Sequence, residues 1–89
     1  MNFHTVLSDE LLEKNSIGAF VWLIDHGREI EFKYKEQEYF VTTEDEDIVL
    51  WHDYKKQSFS CMEEMFEEVR LCDEDIYEVW DDVEFTCIF

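Results

Sequence analysis

At Gly27 the spacing of apolar residues switches from helical to alternating, and that switch limits the chain to folds that join helices to a sheet. Upstream, Ser8-Asp9-Glu10 has the look of a helix start, with a hydroxyl cap and acids in the first turn. Leu11 and Leu12 begin an apolar stripe that continues through Ile17, Phe20, Leu23 and Ile24, with a break expected at Asn15-Ser16 and a stop at Gly27. Downstream, Ile30, Phe32 and Tyr34 alternate with Glu31, Lys33 and Lys35, the signature of a half-buried strand. A two-residue turn at Glu36-Gln37 would pair Tyr34 with Tyr39 and Phe32 with Val41, although neither turn residue is Gly or Asn.

Glu44 to Asp47 reads as the next turn, and Ile48 to Trp51 as a third strand, apolar on both faces and therefore expected to be covered on both. A short fourth strand is expected around Gln57 to Phe59. Ser60-Cys61-Met62-Glu63 then matches a capping box, and Met62, Met65, Phe66 and Val69 repeat at the spacing of a helix packing one stripe on a core. Ile76, Val79, Trp80 and Val83 repeat the same template behind Asp73 as cap. Residues 83–89 either fray as a tail or alternate into a last strand. The expected fold is α+β: a small antiparallel sheet of three to four strands, with an N-terminal helix and two C-terminal helices packed on one face.

Eighty-nine residues make one domain, which must bury a dense core to offset chain entropy. Eight Phe and three Trp supply that core and argue against disorder in spite of the charge. No apolar run reaches membrane length, and Met1-Asn2-Phe3-His4 lacks the basic and long apolar regions of a signal peptide. Cys61, Cys72 and Cys87 are odd in number and scattered, so reduced thiols and a cytoplasmic location are expected.

Charge is the second constraint. The chain carries 24 acids and seven bases, a net −17, and residues 60–89 alone hold eleven acids and one base. Such a balance repels phosphate, which sets aside direct nucleic-acid binding and anionic membranes. Abundant carboxylates make an acid pair inevitable and therefore uninformative about catalysis. Cys61 stands at a helix start where a thiol can be activated, but Glu63 and Glu64 oppose that, and a buried packing role is the simpler reading. His4, His26 and His52 are dispersed, with no Cys-x-x-Cys or His-x3-His spacing. A calcium loop counted from Asp73 places Asp75, Asp81 and Glu84 at ligand positions but fails where Tyr77 and Glu78 replace a ligand and the required Gly. No catalytic, metal or cofactor site is expected.

What remains is an acidic surface made by Glu63, Glu64, Glu67, Glu68, Glu74, Asp75, Glu78, Asp81, Asp82 and Glu84. The bland account is a solvated face that only keeps the protein soluble. The sharper one is a protein that meets a basic protein surface and imitates nucleic-acid phosphates in a Lys/Arg-lined groove. Trp51, Tyr54, Tyr77 and Phe89 are the aromatic anchors such a surface would use if exposed. An apolar patch on the sheet would also allow a homodimer.

The run Gly27-Arg28-Glu29-Ile30-Glu31-Phe32-Lys33-Tyr34-Lys35, followed by Tyr39, Phe59, Met65-Phe66 and Ile76-Tyr77-Glu78-Val79-Trp80, resembles small uncharacterised acidic proteins of low-GC Gram-positive bacteria and their phages. The resemblance spans roughly residues 18–83 and its motifs are structural, with Glu36-Gln37 standing where that pattern favours Gly. It implies a phage or mobile-element accessory protein, a class that includes acidic inhibitors of host defence nucleases. An immunity protein against a cationic nuclease toxin would use the same physics.

Overall fold

The structure, a computed structural model, describes residues 3–89; Met1 and Asn2, and with them the start of the segment weighed as a signal peptide, lie outside the described residues, as does the side chain of His4. The elements run α1 (Phe3–Lys14), α2 (Ile17–Asp25), β1 (Ile30–Tyr34), β2 (Gln37–Glu44), β3 (Asp47–His52), β4 (Lys55–Phe59), α3 (Met62–Glu68), β5 (Arg70–Leu71), β6 (Glu74–Asp75), α4 (Ile76–Val79) and β7 (Glu84–Ile88). A 3-10 turn, Trp80–Asp82, joins α4 to the last strand. The α+β class holds. The sheet has five antiparallel strands in the order β4-β3-β2-β1-β7, rather than three or four, because residues 84–88 close its far edge instead of fraying.

The two N-terminal helices part at Asn15-Ser16, as their sequence suggests. Asn15 takes a left-handed φ of 51° and Ser16 Oγ caps α2 by accepting from Ala19 N–H at 3.1 Å. At the other end Gly27 sits at φ 80°, and the N–H groups of Gly27 and Arg28 return to Ile24 O and Leu23 O. Ser8, by contrast, is not a cap. Helix α1 begins at Phe3, so Ser8 lies inside it, and its hydroxyl is buried with no partner among the described residues.

The first hairpin turns at Lys35-Glu36 and pairs Phe32 with Tyr39 and Ile30 with Val41, one residue earlier than the sequence reading placed it. Shifting by a full residue keeps Tyr39 and Val41 on the core face, since the pairing partner moves by two. Every hairpin turn among the described residues follows this pattern. Lys35-Glu36, Asp45-Glu46, Asp53-Tyr54 and Cys72-Asp73 all have both residues at positive φ, and none contains Gly or Asn. These are the primed turns that match strand twist, built here from residues that each forgo about 1 kcal/mol to enter the left-handed region.

Two further expectations fail for physical reasons. Cys61, not Ser60, is the N-cap residue of α3; Ser60 Oγ instead donates to Glu64 Oε2 at 2.6 Å, so the capping box does not form. The long helix expected behind Asp73 shrinks to a single turn. Asp73 occupies the tip of the β5–β6 hairpin, and Asp75 is the cap, accepting from Tyr77 N–H at 2.9 Å. The apolar positions still serve the core, with Ile76, Val79, Trp80 and Val83 all buried. Strand β3 is covered on both faces at Ile48, Val49 and Leu50, and only Trp51, 37% exposed, departs from that expectation.

One core fills the space between the helices and the face of the sheet formed by Ile30, Phe32, Tyr34, Tyr39, Val41, Leu50 and Phe85. Its centre is a ring cluster in which Phe20 of α2 lies 5.9, 5.2 and 5.8 Å from Phe66, Trp80 and Phe85. A polar clasp holds Trp80 in place. Asn15 Nδ2 donates to the carbonyls of Trp80 and Val83 at 3.0 and 2.7 Å, and Trp80 Nε1 donates back to Asn15 O.

Glu46→Gly converts the second turn to Asp-Gly and should raise stability by about 0.5–1 kcal/mol, several degrees in Tm for a chain of this size. A urea or thermal melt showing no gain would mean the turn is not left-handed at that position. Asn15→Gly should keep the backbone but cost about 1–3 kcal/mol by leaving two carbonyls and the indole geometry unsupported, and Asn15→Ala should cost more.

Candidate acidic interface

Of the ten carboxylates singled out above, the fold brings six onto one helical layer and spends or diverts the other four. Glu63, Glu67 and Glu68 project from α3, Glu78 from α4, and Asp81 and Asp82 from the 3-10 turn, all exposed. Glu64 is half-buried and accepts from Ser60. Asp75 caps α4 and pairs with Arg70 at 3.4 Å. Glu84 leaves the layer altogether, standing in β7 opposite Lys33 of β1. Glu74 and Asp75 are therefore strand residues, not helix-face residues as their periodicity suggested.

Glu74 is the most engaged acid of the set. Its Oε2 accepts from Lys35 Nζ at 2.8 Å and from Tyr34 Oη at 2.6 Å, tying the β5–β6 hairpin to the end of β1. The lysine and then the tyrosine hydrogen bond hold its carboxyl below the usual range. Reciprocally, the carboxylate raises both Tyr34 and Lys35 above their ordinary values. Tyr39 is pushed up to about 12, first by burial and then by the neighbouring thiol of Cys72. Tyr39 also stacks on His52 at 4.3 Å and lines a small cavity with Leu50, Lys55, Gln57 and Arg70.

The ion pairs described between side chains fall on Glu10, Glu44, Glu74 and Asp75. None falls on Glu63, Glu67, Glu68, Glu78, Asp81 or Asp82. In α3, Glu63 and Glu67 are one turn apart, about 5–6 Å between Cβ atoms, as are Glu64 and Glu68. From α4 Tyr77, 52% exposed, reaches α3, its ring stacked on Phe66 at 5.0 Å. Helical geometry sets Glu63 and Glu67 on the flank of α3 next to Phe66, hence beside that tyrosine.

Comparison with protein-family models, with curated proteins and with solved structures returns no match. The surface is therefore read on its own chemistry. All four anchor candidates are exposed: Trp51, Tyr54 (fully), Tyr77 and Phe89. Only Tyr77 stands among the acids. Trp51 and Phe89 lie on the helix-free face of the sheet, and Tyr54 tips the β3–β4 hairpin. Cys61, Cys72 and Cys87 are all free and exposed, so Cys61 alone departs from expectation: it does not pack in the core. Among the described residues no cluster of three His, Cys, Asp or Glu is placed to hold a metal, and no helix is long and apolar enough to cross a membrane.

The Glu74 knot makes a pH prediction. A carboxyl held low stabilises the fold above its unfolded value and loses that contribution as pH falls through its folded value; the raised Tyr34 and Lys35 stabilise below their unfolded values and lose it at alkaline pH. Glu74→Gln should accordingly lower Tm near neutrality, and the gap to wild type should close on acidification through the carboxylate range. A gap that stays constant down to acid pH would show that the knot does not depend on ionised Glu74.

Proposed function

We propose that this protein is a small binding or inhibitory protein that presents the α3–α4 layer to a basic protein surface, in the manner of a nucleic-acid strand. The observation that carries the reading is the set of exposed carboxylates on Glu63, Glu67, Glu68, Glu78, Asp81 and Asp82, outside the described ion pairs and carried on the segments that also present an exposed Tyr77 stacked on Phe66. Unneutralised charge in such density is costly to a small domain through self-repulsion, and a cationic groove relieves that cost on binding. The i, i+4 spacing repeats charge on the scale of neighbouring phosphates along one strand. Tyr77 supplies what charge alone lacks, a flat apolar anchor whose position the core determines.

The backing matters as much as the charge. Glu63, Glu67 and Glu68 stand on a helix whose Met65 and Phe66 are buried, and Glu78, Asp81 and Asp82 flank buried Val79 and Trp80. The carboxylates are thus presented by backbone that does not have to order on binding, which saves part of the entropic cost of association. The mobile-element setting implied by the resemblance makes a host DNA-handling or defence protein the target class.

A test uses labelled duplex DNA bound to a histone-like nucleoid protein as probe. The acidic protein should displace the DNA, with an affinity that falls steeply as salt rises. Neutralising Glu63, Glu67, Glu78 and Asp81 to Gln or Asn should weaken displacement at least about tenfold, and Tyr77→Ala should cost about 1–2 kcal/mol. The control neutralises four acids elsewhere, Glu36, Glu46, Asp47 and Asp53. If both quadruple variants lose the same affinity, only net charge matters and the acidic layer is not a binding face.

A further inference from the structure

The helices cover one face of the sheet; the other is open, and its side chains form a pattern of their own. Strand register places Lys56, Trp51, Phe40 and Glu31 side by side across β4, β3, β2 and β1. The adjacent row across the same four strands reads Ser58, Val49, Thr42 and Glu29, with Thr42 Oγ1 donating to Glu29 Oε2 at 3.0 Å. Phe89 approaches Phe40 edge-on at 6.1 Å, and Trp51 and Phe89 are 37% and 55% exposed. This face therefore carries an aromatic strip with a cation at one end of its row and a carboxylate at the other.

Such a row is complementary to itself when reversed. A two-fold axis lying in the interface, parallel to the strands and between β2 and β3, sets β4 of one copy over β1 of the next and β3 over β2. Lys56 then faces Glu31 of the second copy and Trp51 faces Phe40, each twice by symmetry, while Val49 and Thr42, 1% and 9% exposed, are already covered within each chain. We propose that the open sheet face is a self-association surface, on which a second copy of this chain docks face to face about that axis.

Charge on this face is mixed, with Lys33 and Lys56 standing among Glu29, Glu31, Glu38, Glu44 and Asp47, whereas the acidic helical layer lies on the opposite side of the sheet, behind the core. Taking about 10 Å per layer, the acidic layers of the two copies stand about 30 Å apart, roughly three screening lengths at 0.1 M salt. One row opposes the docking: Glu44 and Asp47 stand opposite each other on β2 and β3, so the axis sets acid against acid there. Lys56, which reaches Glu44 at 3.5 Å across β3, tempers that contact. About this axis four strands at about 4.8 Å spacing overlap, with β7 left over, a face only about 20 Å wide and at the small end of interfaces, so the dimer is expected to be weak, micromolar or above.

The dimer has a salt dependence opposite to that of the basic-partner complex. Association of two chains of charge −17 should tighten as salt screens their repulsion, while capture of a basic protein should loosen. The two readings use opposite faces and can fail separately. Sedimentation equilibrium of the full chain, from micromolar to millimolar, at about 0.05 and about 0.5 M NaCl decides it. The expected result is a monomer–dimer equilibrium shifted toward dimer at the higher salt. Trp51→Ala should raise the dissociation constant at least about tenfold. Lys56→Glu and Glu31→Lys should each weaken the dimer similarly, and the double swap should return it to within about threefold of wild type. Within one chain those two residues are three strands apart, so rescue reports contact between copies. A wild-type chain that stays monomeric at millimolar concentration in high salt overturns the proposal, whatever the variants do. Dimers indifferent to Trp51→Ala, or charge variants that the double swap does not rescue, overturn it as well.

Discussion

The contact on which the rest of the molecule depends is the packing of Phe20 against Trp80. Their rings meet edge to face at 5.2 Å, and Phe66 and Phe85 each touch both. Four segments therefore meet at one cluster: α2, α3, the 3-10 turn and β7. Each such pair is worth about 0.5–1.5 kcal/mol beyond the area it buries. The Asn15 clasp explains why Trp80 can be there at all, because a buried indole needs an acceptor and Asn15 O provides it. In turn Asn15 is free to clasp because it ends α1 in the left-handed region, where Asn costs little.

Periodicity made the core legible. The apolar positions at Ile30, Phe32, Tyr39, Val41, Met62, Met65, Phe66, Val69, Ile76, Val79, Trp80 and Val83 are all buried, whatever element carries them. Element boundaries were harder, and for one reason. The chain makes its tight turns from Lys35-Glu36, Asp45-Glu46, Asp53-Tyr54 and Cys72-Asp73, which carry none of the Gly or Asn that signals a turn. The β5–β6 hairpin was invisible on that account, and the helical spacing of Ile76 to Val83 hid the fact that helix is not required to bury those four positions. Of the acidic surface, the helix-borne acids were legible from the stripe opposite Met65 and Phe66. The fates of Glu74 and Asp75 were not, since a 2.6 Å bond from Tyr34 to Glu74 joins residues forty positions apart.

Strained turns and concentrated charge lead to the same energetic position. Eight non-glycine hairpin-turn residues in the left-handed region and a net charge of −17 both subtract from stability, and the aromatic core must exceed both. A chain under selection for stability alone would shed these costs easily, since one Gly per turn and a few Lys on α3 would do it. The turns set strand twist and so hold the sheet to which α3 and the 3-10 turn are anchored. The acids are then displayed from a layer whose geometry the core maintains against their mutual repulsion.

The two faces of the molecule divide the electrostatics between them. On the helical side, six exposed acids stand outside the described ion pairs; on the open side of the sheet, Lys56 reaches both Glu44 and the Trp51 ring, at 3.5 and 5.8 Å. The open face carries its aromatic strip among Lys33, Lys56, Glu29, Glu31, Glu44 and Asp47, with acids in excess, while charge on the helical face is left to be compensated from outside. Screening separates them cleanly. Added salt weakens any attraction that relies on the helical acids and relieves the repulsion that opposes apolar contact on the sheet. A protein built this way favours a charged partner at low ionic strength and its own kind at high, with the five-stranded sheet and its core insulating one face from the other.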